Sequence, residues 1–351
     1  MIINLLLVIV PISAFLAYGM HAPAAWVFAT SLVGIIPLAE WIRRATDHLA
    51  RRAGSAVGGL LTVTFGNLAE LIIALFVLSA GSIEVVKAQI TGSIIGNSLL
   101  GLGVAIVIGG WRKEKQTFKP QRASLLSSLL ILSALALLLP AFFDLAKRHV
   151  DAPNRFISDE RVSLAVAIVL ILVYVANLAY TLRTHRDVFA FEDTPDPGAW
   201  TLARSVGTLV VMTAAVALEA ELLSGALIET SRGLGTSTFF LGIVVLAVVG
   251  NVAEYISAIH FARQDRMGLV FTITAGSTIQ VALLTAPILV IASQFMSHRL
   301  NLVFGNPLEM IAIAATVFAV NSISQDGETT WFEGVLLLAV YLLLAVAFFY
   351  L

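Results

Sequence analysis

The hydrophobic pattern is a series of long apolar runs separated by short polar connections. A helix needs about 18–25 apolar residues to cross ~30 Å of hydrocarbon. Eleven runs meet that length, near 2–19, 23–42, 57–80, 86–109, 123–143, 162–182, 201–225, 237–261, 269–293, 303–323 and 331–350. The charged stretch Arg43–Arg52 follows the second run and can extend it along the membrane interface. Polar connections fall at Trp111–Arg122, Asp144–Arg161 and Arg183–Ala199. Ile2–Gly19 has no basic segment before it, which predicts a retained helix and not a cleaved signal.

Two of these runs repeat one another. Gly66-Asn67-Leu68-Ala69-Glu70 returns as Gly250-Asn251-Val252-Ala253-Glu254, and each is followed 22 residues after its glutamate by Gly-Ser, at Gly92-Ser93 and Gly276-Ser277. The offset is 184 in both cases, and ten of 33 positions agree between Gly66–Ser98 and Gly250–Ala282. The motifs occupy the third and eighth runs, so five crossings separate them and the second copy is expected upside down. The expected fold is an all-α polytopic membrane protein of eleven transmembrane helices. Residues 1–22 form a separate N-terminal helix, 23–182 a first five-helix repeat and 201–351 a second, inverted one. Between them, 183–200 is an acidic cytoplasmic linker carrying Glu192, Asp193 and Asp196. Inverted repeats bind their cargo near the midplane, where the copies meet.

Composition narrows the function. At 59 % hydrophobic and 12 % charged residues, the chain is built for lipid. The absence of cysteine excludes disulfides and thiolate chemistry. No H-E-x-x-H, G-x-S-x-G or P-loop is present, so no enzymatic site is expected. No basic tail or RNA-type motif points to nucleic acid, and no cofactor is implied. Counting alternate sides, 14 of the 21 Lys and Arg residues fall on one side. The positive-inside rule then predicts a cytoplasmic N-terminus in a multi-pass plasma (inner) membrane protein.

A carboxylate inside a bilayer is costly and usually functional. On a helix Gly66, Asn67 and Glu70 share a face, as do Gly250, Asn251 and Glu254. Glycine permits close approach or local unwinding that exposes carbonyl oxygens. Ser93 and Asn97 follow at i and i+4, and Ser277 and Gln280 at i and i+3. Two carboxylates with hydroxyl, amide and backbone oxygens make the hard-oxygen set that Ca²⁺ prefers. Simpler readings exist: a Gly-Asn pair as helix packing, Gly92–Gly96 as a GxxxG contact face, and the serines bonded to their own helices.

Other acids are weaker candidates. Glu40 and Glu221 form a possible second pair, at an offset of 181. Glu219, Glu309 and Glu333 lie near expected span ends and should reach out to water. The Arg43–Arg52 run is expected to face lipid at the cytoplasmic surface.

The segments Gly58–Leu75, Ile243–Glu254, Ala275–Pro287 and Trp331–Gly334 resemble the calcium/proton exchanger (CAX) family of the calcium:cation antiporter superfamily. The resemblance implies eleven spans, the first outside two inverted repeats. It implies that Glu70 and Glu254 are cation ligands and proton acceptors in turn. Asn97, Gln280, Ser93 and Ser277, with Asn67, Asn251 and backbone oxygens at Gly66 and Gly250, would complete the site. Sodium/calcium exchangers, the sister branch, carry an extra acid where this chain reads Thr278-Ile279-Gln280-Val281. Its loss favours protons as counter-ion. At the 184 offset Asn97 matches Val281, while Gln280 matches Gly96, a local break in symmetry. The resulting expectation is Ca²⁺/H⁺ antiport; the alternative is Na⁺ (or K⁺)/H⁺ antiport on the same glutamates.

Overall fold

The structure is a computed structural model that describes residues 2–147, 152–180 and 200–351. The proposed acidic linker lies almost wholly outside the described residues. The described residues are predominantly helical, and the helices follow the apolar runs. In chain order they are α1 (Ile3–Gly19), α2 (Ala24–Phe65), α3 (Leu68–Ser79), α4 (Ile83–Gly110), α5 (Pro120–Ala146) and α6 (Ala152–Ala179). Then come α7 (Leu202–Leu234), α8 (Thr238–Gly250), α9 (Val252–Arg263), α10 (Met267–Ser293), α11 (Pro307–Ser324) and α12 (Trp331–Phe349). Among the described residues eight helices are long and apolar enough to cross a bilayer, or nine if α8 and α9 are one bent span; α1 and α3 are shorter apolar helices.

Local chemistry sets the ends. Pro120 and Pro307 open α5 and α11, where a missing N–H costs nothing. Asn306 with Glu309, and Thr330 with Glu333, close reciprocal capping boxes on α11 and α12. Gly235, at φ 66°, ends α7 in the left-handed conformation that glycine adopts freely.

The expected second and third spans are organised differently. Residues 24–65 form one helix that carries the Arg43–Arg52 stretch. Its axis bends sharply, since a Cβ on Gly58 would lie 2.2 Å from the Ala50 carbonyl, whereas eight residues of straight helix span about 12 Å. The eighth span is also interrupted: α8 and α9 meet at 52°. One small sheet departs from the all-α expectation, an antiparallel pair of β1 (Gln116–Thr117) and β2 (Glu328–Thr329) in register Gln116↔Thr329.

Two compact units form. Unit 1 is Met1–Ala80 with Leu172–Thr236, and unit 2 is Gly81–Ile171 with Ser237–Leu351. In unit 1, α7 packs along α2 and α3, with α1 against α2. In unit 2, α4 is the central helix, packed by α8, α9, α10, α11 and α12. Glycines set this spacing: a Cβ on Gly92 would fall 2.0 Å from the Ile243 carbonyl, and one on Gly242 2.8 Å from that of Val85. Leu132, Leu135 and Leu139 of α5 and Leu342 and Leu343 of α12 are exposed, as an outer surface facing lipid requires.

The connections of unit 2 meet in two groups. In one, Lys113 pairs with Asp265 at 2.7 Å and Lys115 with Glu328 at 2.8 Å beside the β pair. Lys113 and Gln116 hold the Asp265 carboxyl below its usual range. In the other, Arg299 pairs with Glu160 at 3.2 Å, Leu302 N donates to Ser163 Oγ, and Gly81 abuts His298.

Candidate functional site

Both Gly-Asn pairs sit at helix breaks. Asn67 (φ −97°, ψ 22°) separates α2 from α3, and Asn251 (φ −109°, ψ 13°) separates α8 from α9. The two motifs therefore do not lie on continuous helices, as the apolar runs implied. Instead each glutamate is the third residue of a new helix, Glu70 in α3 and Glu254 in α9. A helix start presents N–H groups and the positive end of the dipole to a carboxylate. The preceding helix end exposes carbonyls without helical partners. One break thus supplies both an anchored carboxylate and neutral oxygens.

Glu70 and Glu254 are both buried, 2 % and 7 % exposed. Gly66, Asn67 and Glu70 belong to unit 1, and the other candidate residues to unit 2. In unit 1 Asn67 is buried, and neither side-chain oxygen nor nitrogen has a partner among the described residues. In unit 2 the structure brings Ser93, Asn97 and Asn251 into one hydrogen-bonded chain. Asn97 Nδ2 donates to Asn251 Oδ1 at 2.8 Å. Asn251 Nδ2 donates to Ser93 Oγ at 3.0 Å and to the Ala247 carbonyl at 2.8 Å. Asn97 Oδ1 is buried and accepts from no donor among the described residues, which leaves an amide oxygen available to a cation. Ser277 is buried and Gln280 half-buried on α10.

The sequence reading missed the π-turns. Gly96–Gly101 of α4, around Asn97, and Val281–Thr285 of α10 each wind one residue wider than an α-helix. At the 184 offset Gly96–Gly101 maps onto 280–285, so the two turns are repeat equivalents. Such turns re-aim side chains and cluster at functional sites. The glycines are the visible signal: Tyr255 packs its ring on Gly101 and its hydroxyl on Gly96, where a Cβ would stand 2.7 and 2.6 Å away. Ser98 in the turn of α4 meets Thr278 of α10 at 2.9 Å, and Thr278 donates onward to the Thr274 carbonyl.

Three expectations for other acids need correction. Glu219 and Glu309 do not reach water; both are fully buried. Glu309 accepts from Thr91 Oγ1 at 2.9 Å while capping α11. Glu40 and Glu221 do not form a like pair: Glu40 is buried and held by Arg43 and Arg44 at 2.9 and 2.7 Å, while Glu221 is exposed. The start of the arginine run is thus engaged in ion pairs. Arg43 also reaches Asp47 at 2.6 Å.

Among the described residues no three His, Cys, Asp or Glu side chains converge. A cation held in this region must draw on amide, hydroxyl and carbonyl oxygens as well as carboxylates. This makes Asn97 testable. Asn97→Ala removes the free oxygen and leaves Asn251 Oδ1 without its donor, which costs about 1–3 kcal/mol. The expected outcome is a lower thermal midpoint together with a roughly 10-fold higher half-saturating cation concentration. A midpoint shift with unchanged cation dependence would exclude Asn97 as a ligand.

Comparison with known proteins identifies the family. The chain matches the family described as sodium/calcium exchanger protein over residues 23–183 and 204–350. It is 38% identical to a Ca²⁺/H⁺ antiporter of Aphanothece halophytica, covering 98% of this chain and 95% of that one. Identity is also 38% to the Ca²⁺/H⁺ antiporter ChaA of Bacillus subtilis, over 94% of this chain and 93% of the relative. The solved structure of native YfkE superimposes with a TM-score of 0.86 at 34% identity, covering 99% of this chain and 100% of that one. Fold and site define a polytopic helical membrane protein whose buried acids begin helices at repeated breaks. The chain belongs to the calcium/proton exchanger (CAX) family of the calcium:cation antiporter superfamily.

Proposed function

We propose that this protein is a secondary active antiporter that exchanges Ca²⁺ for H⁺ by alternating access, with Glu70 and Glu254 binding cation or protons in turn. The observation that carries the reading is the Gly-Asn-x-x-Glu motif, found twice and both times at a helix break with its glutamate buried. Relatives named as Ca²⁺/H⁺ antiporters at 38% identity support the pair of ions.

The coupling follows from charge. One Ca²⁺ neutralises two carboxylates, and so do two protons. The empty, doubly ionised state is the costly one in a low-dielectric membrane. Loaded carriers therefore cross and empty ones do not, which couples the two fluxes. Asn97, Gln280, Ser93, Ser277, Asn67 and Asn251 would supply neutral oxygens, with backbone oxygens at Gly66 and Gly250. The two groups of connections in unit 2 support an alternation of helix ends between two membrane faces. The proposed topology retains eleven spans in two inverted repeats and a cytoplasmic N-terminus in the plasma membrane.

The test is uptake of radiolabelled Ca²⁺ into proteoliposomes under an imposed pH gradient. Uptake that follows the gradient supports the proposal. No Ca²⁺ uptake, with a pH response to added Na⁺ or K⁺, assigns the site to monovalent cations.

A further inference from the structure

Glu219 takes no part in the exchange chemistry above, yet it is fully buried in the middle of α7. Its surroundings in unit 1 are specific. Ser13 Oγ of α1 stands 2.5 Å from Glu219 Oε1. Gly34 of α2 leaves room for the carboxyl; a Cβ there would lie 3.3 Å from Glu219 Cδ and Oε1. Ser31, one turn earlier on α2, is also buried. The Ser31 hydroxyl lies beside the carboxyl, although no hydrogen bond of good geometry reaches Glu219 Oε2 among the described residues.

Charged groups are remote from this carboxyl or engaged elsewhere. Residues 2–19 contain none, Tyr18 being the one titratable side chain. On α2 the nearest is Glu40, six residues or about 9 Å of helix beyond Gly34 and occupied by Arg43 and Arg44. Glu70 is the acid of α3, in its first turn. On α7 itself Glu221 is exposed, and Arg204, Glu229 and Arg232 lie two or more turns away. No Lys, Arg or His among the described residues offsets a charge on Glu219.

Hydrogen counting bears on its state, since Ser13 Oγ stands within donor reach of both Glu219 Oε1 and the Val10 carbonyl. Ser13 Oγ is also 2.8 Å from the Val10 carbonyl, which can only accept. A hydroxyl carries one hydrogen. If Ser13 donates it to Val10, the contact with Glu219 is a hydrogen bond only when the carboxyl supplies the proton. We infer that Glu219 is a proton-binding site, distinct from the motif glutamates, whose proton forms a chain from Glu219 through Ser13 to the Val10 carbonyl and fastens α1 onto α7. The proton comes from water, and its loss would leave an isolated carboxylate in an apolar site and break the chain.

Infrared difference spectroscopy on the full chain in lipid tests this, using a Glu70→Gln/Glu254→Gln background so that the motif acids contribute nothing. At neutral pH a protonated-carboxyl C=O band is expected. Adding Glu219→Gln should remove one component of it, and Ser13→Ala should move that component to higher frequency through loss of the hydrogen bond. Identical spectra with and without Glu219→Gln overturn the inference. Should that variant fail to fold, a Ser13→Ala spectrum with an unmoved band overturns it equally. The readout is independent of transport, so it stands or falls separately from the exchange proposal.

Discussion

Replacing Glu254 by Gln is expected to abolish Ca²⁺ uptake driven by a pH gradient while leaving the protein folded. The amide keeps the size of the side chain and one oxygen, but it carries no charge and takes up no proton. Both loads that neutralise the carboxylate are lost together. Losing one charged ligand interaction of ~3 kcal/mol slows exchange on the order of 100-fold or more. Glu70→Gln should do the same, since each glutamate is the third residue of a helix that begins at a Gly-Asn break. Flux in proteoliposomes and a thermal midpoint within a few degrees of wild type are the two measurements. Near-normal exchange by either variant would sink the paired-carboxylate mechanism.

Gly92→Ala has the second large effect, and it acts on assembly. The new Cβ would meet the Ile243 carbonyl at 2.0 Å, a backbone atom that moves only if α4 and α8 separate. Overpacking of this kind costs about 3 kcal/mol, at the upper end of the usual range, or several degrees in thermal midpoint. Gly276 is the repeat equivalent of Gly92, but nothing lies within 4 Å of a Cβ built there. Gly276→Ala should leave the midpoint unchanged. Equal destabilisation by both would falsify the backbone-contact account, and a detergent melting curve decides it.

That pair illustrates how far a repeat can be read. Gly92 and Gly276 are indistinguishable in the motif, yet one is pressed against a neighbouring backbone and the other is open. The two asparagines diverge as well: Asn251 is bonded through Ser93, Asn97 and Ala247, while Asn67 has no partner among the described residues. Glu219 and Glu309 misled for a related reason. Their positions near expected span ends implied water, but α7 continues to Leu234 and Glu309 caps its helix inside the protein.

The chain by itself determined that this is a helical membrane protein and which family it resembles, and it singled out Glu70 and Glu254 as candidate acids. Those conclusions rest on run length and local repetition, which follow from the solvent a segment must face and need no knowledge of neighbours. The structure decided where the helices break, where the π-turns widen α4 and α10, and which oxygens remain unclaimed. The wide turn of α4 packs against a residue distant in the chain, the Tyr255 side chain resting on Gly96 and Gly101. That closeness is a property of the packed helices and has no local trace beyond a glycine.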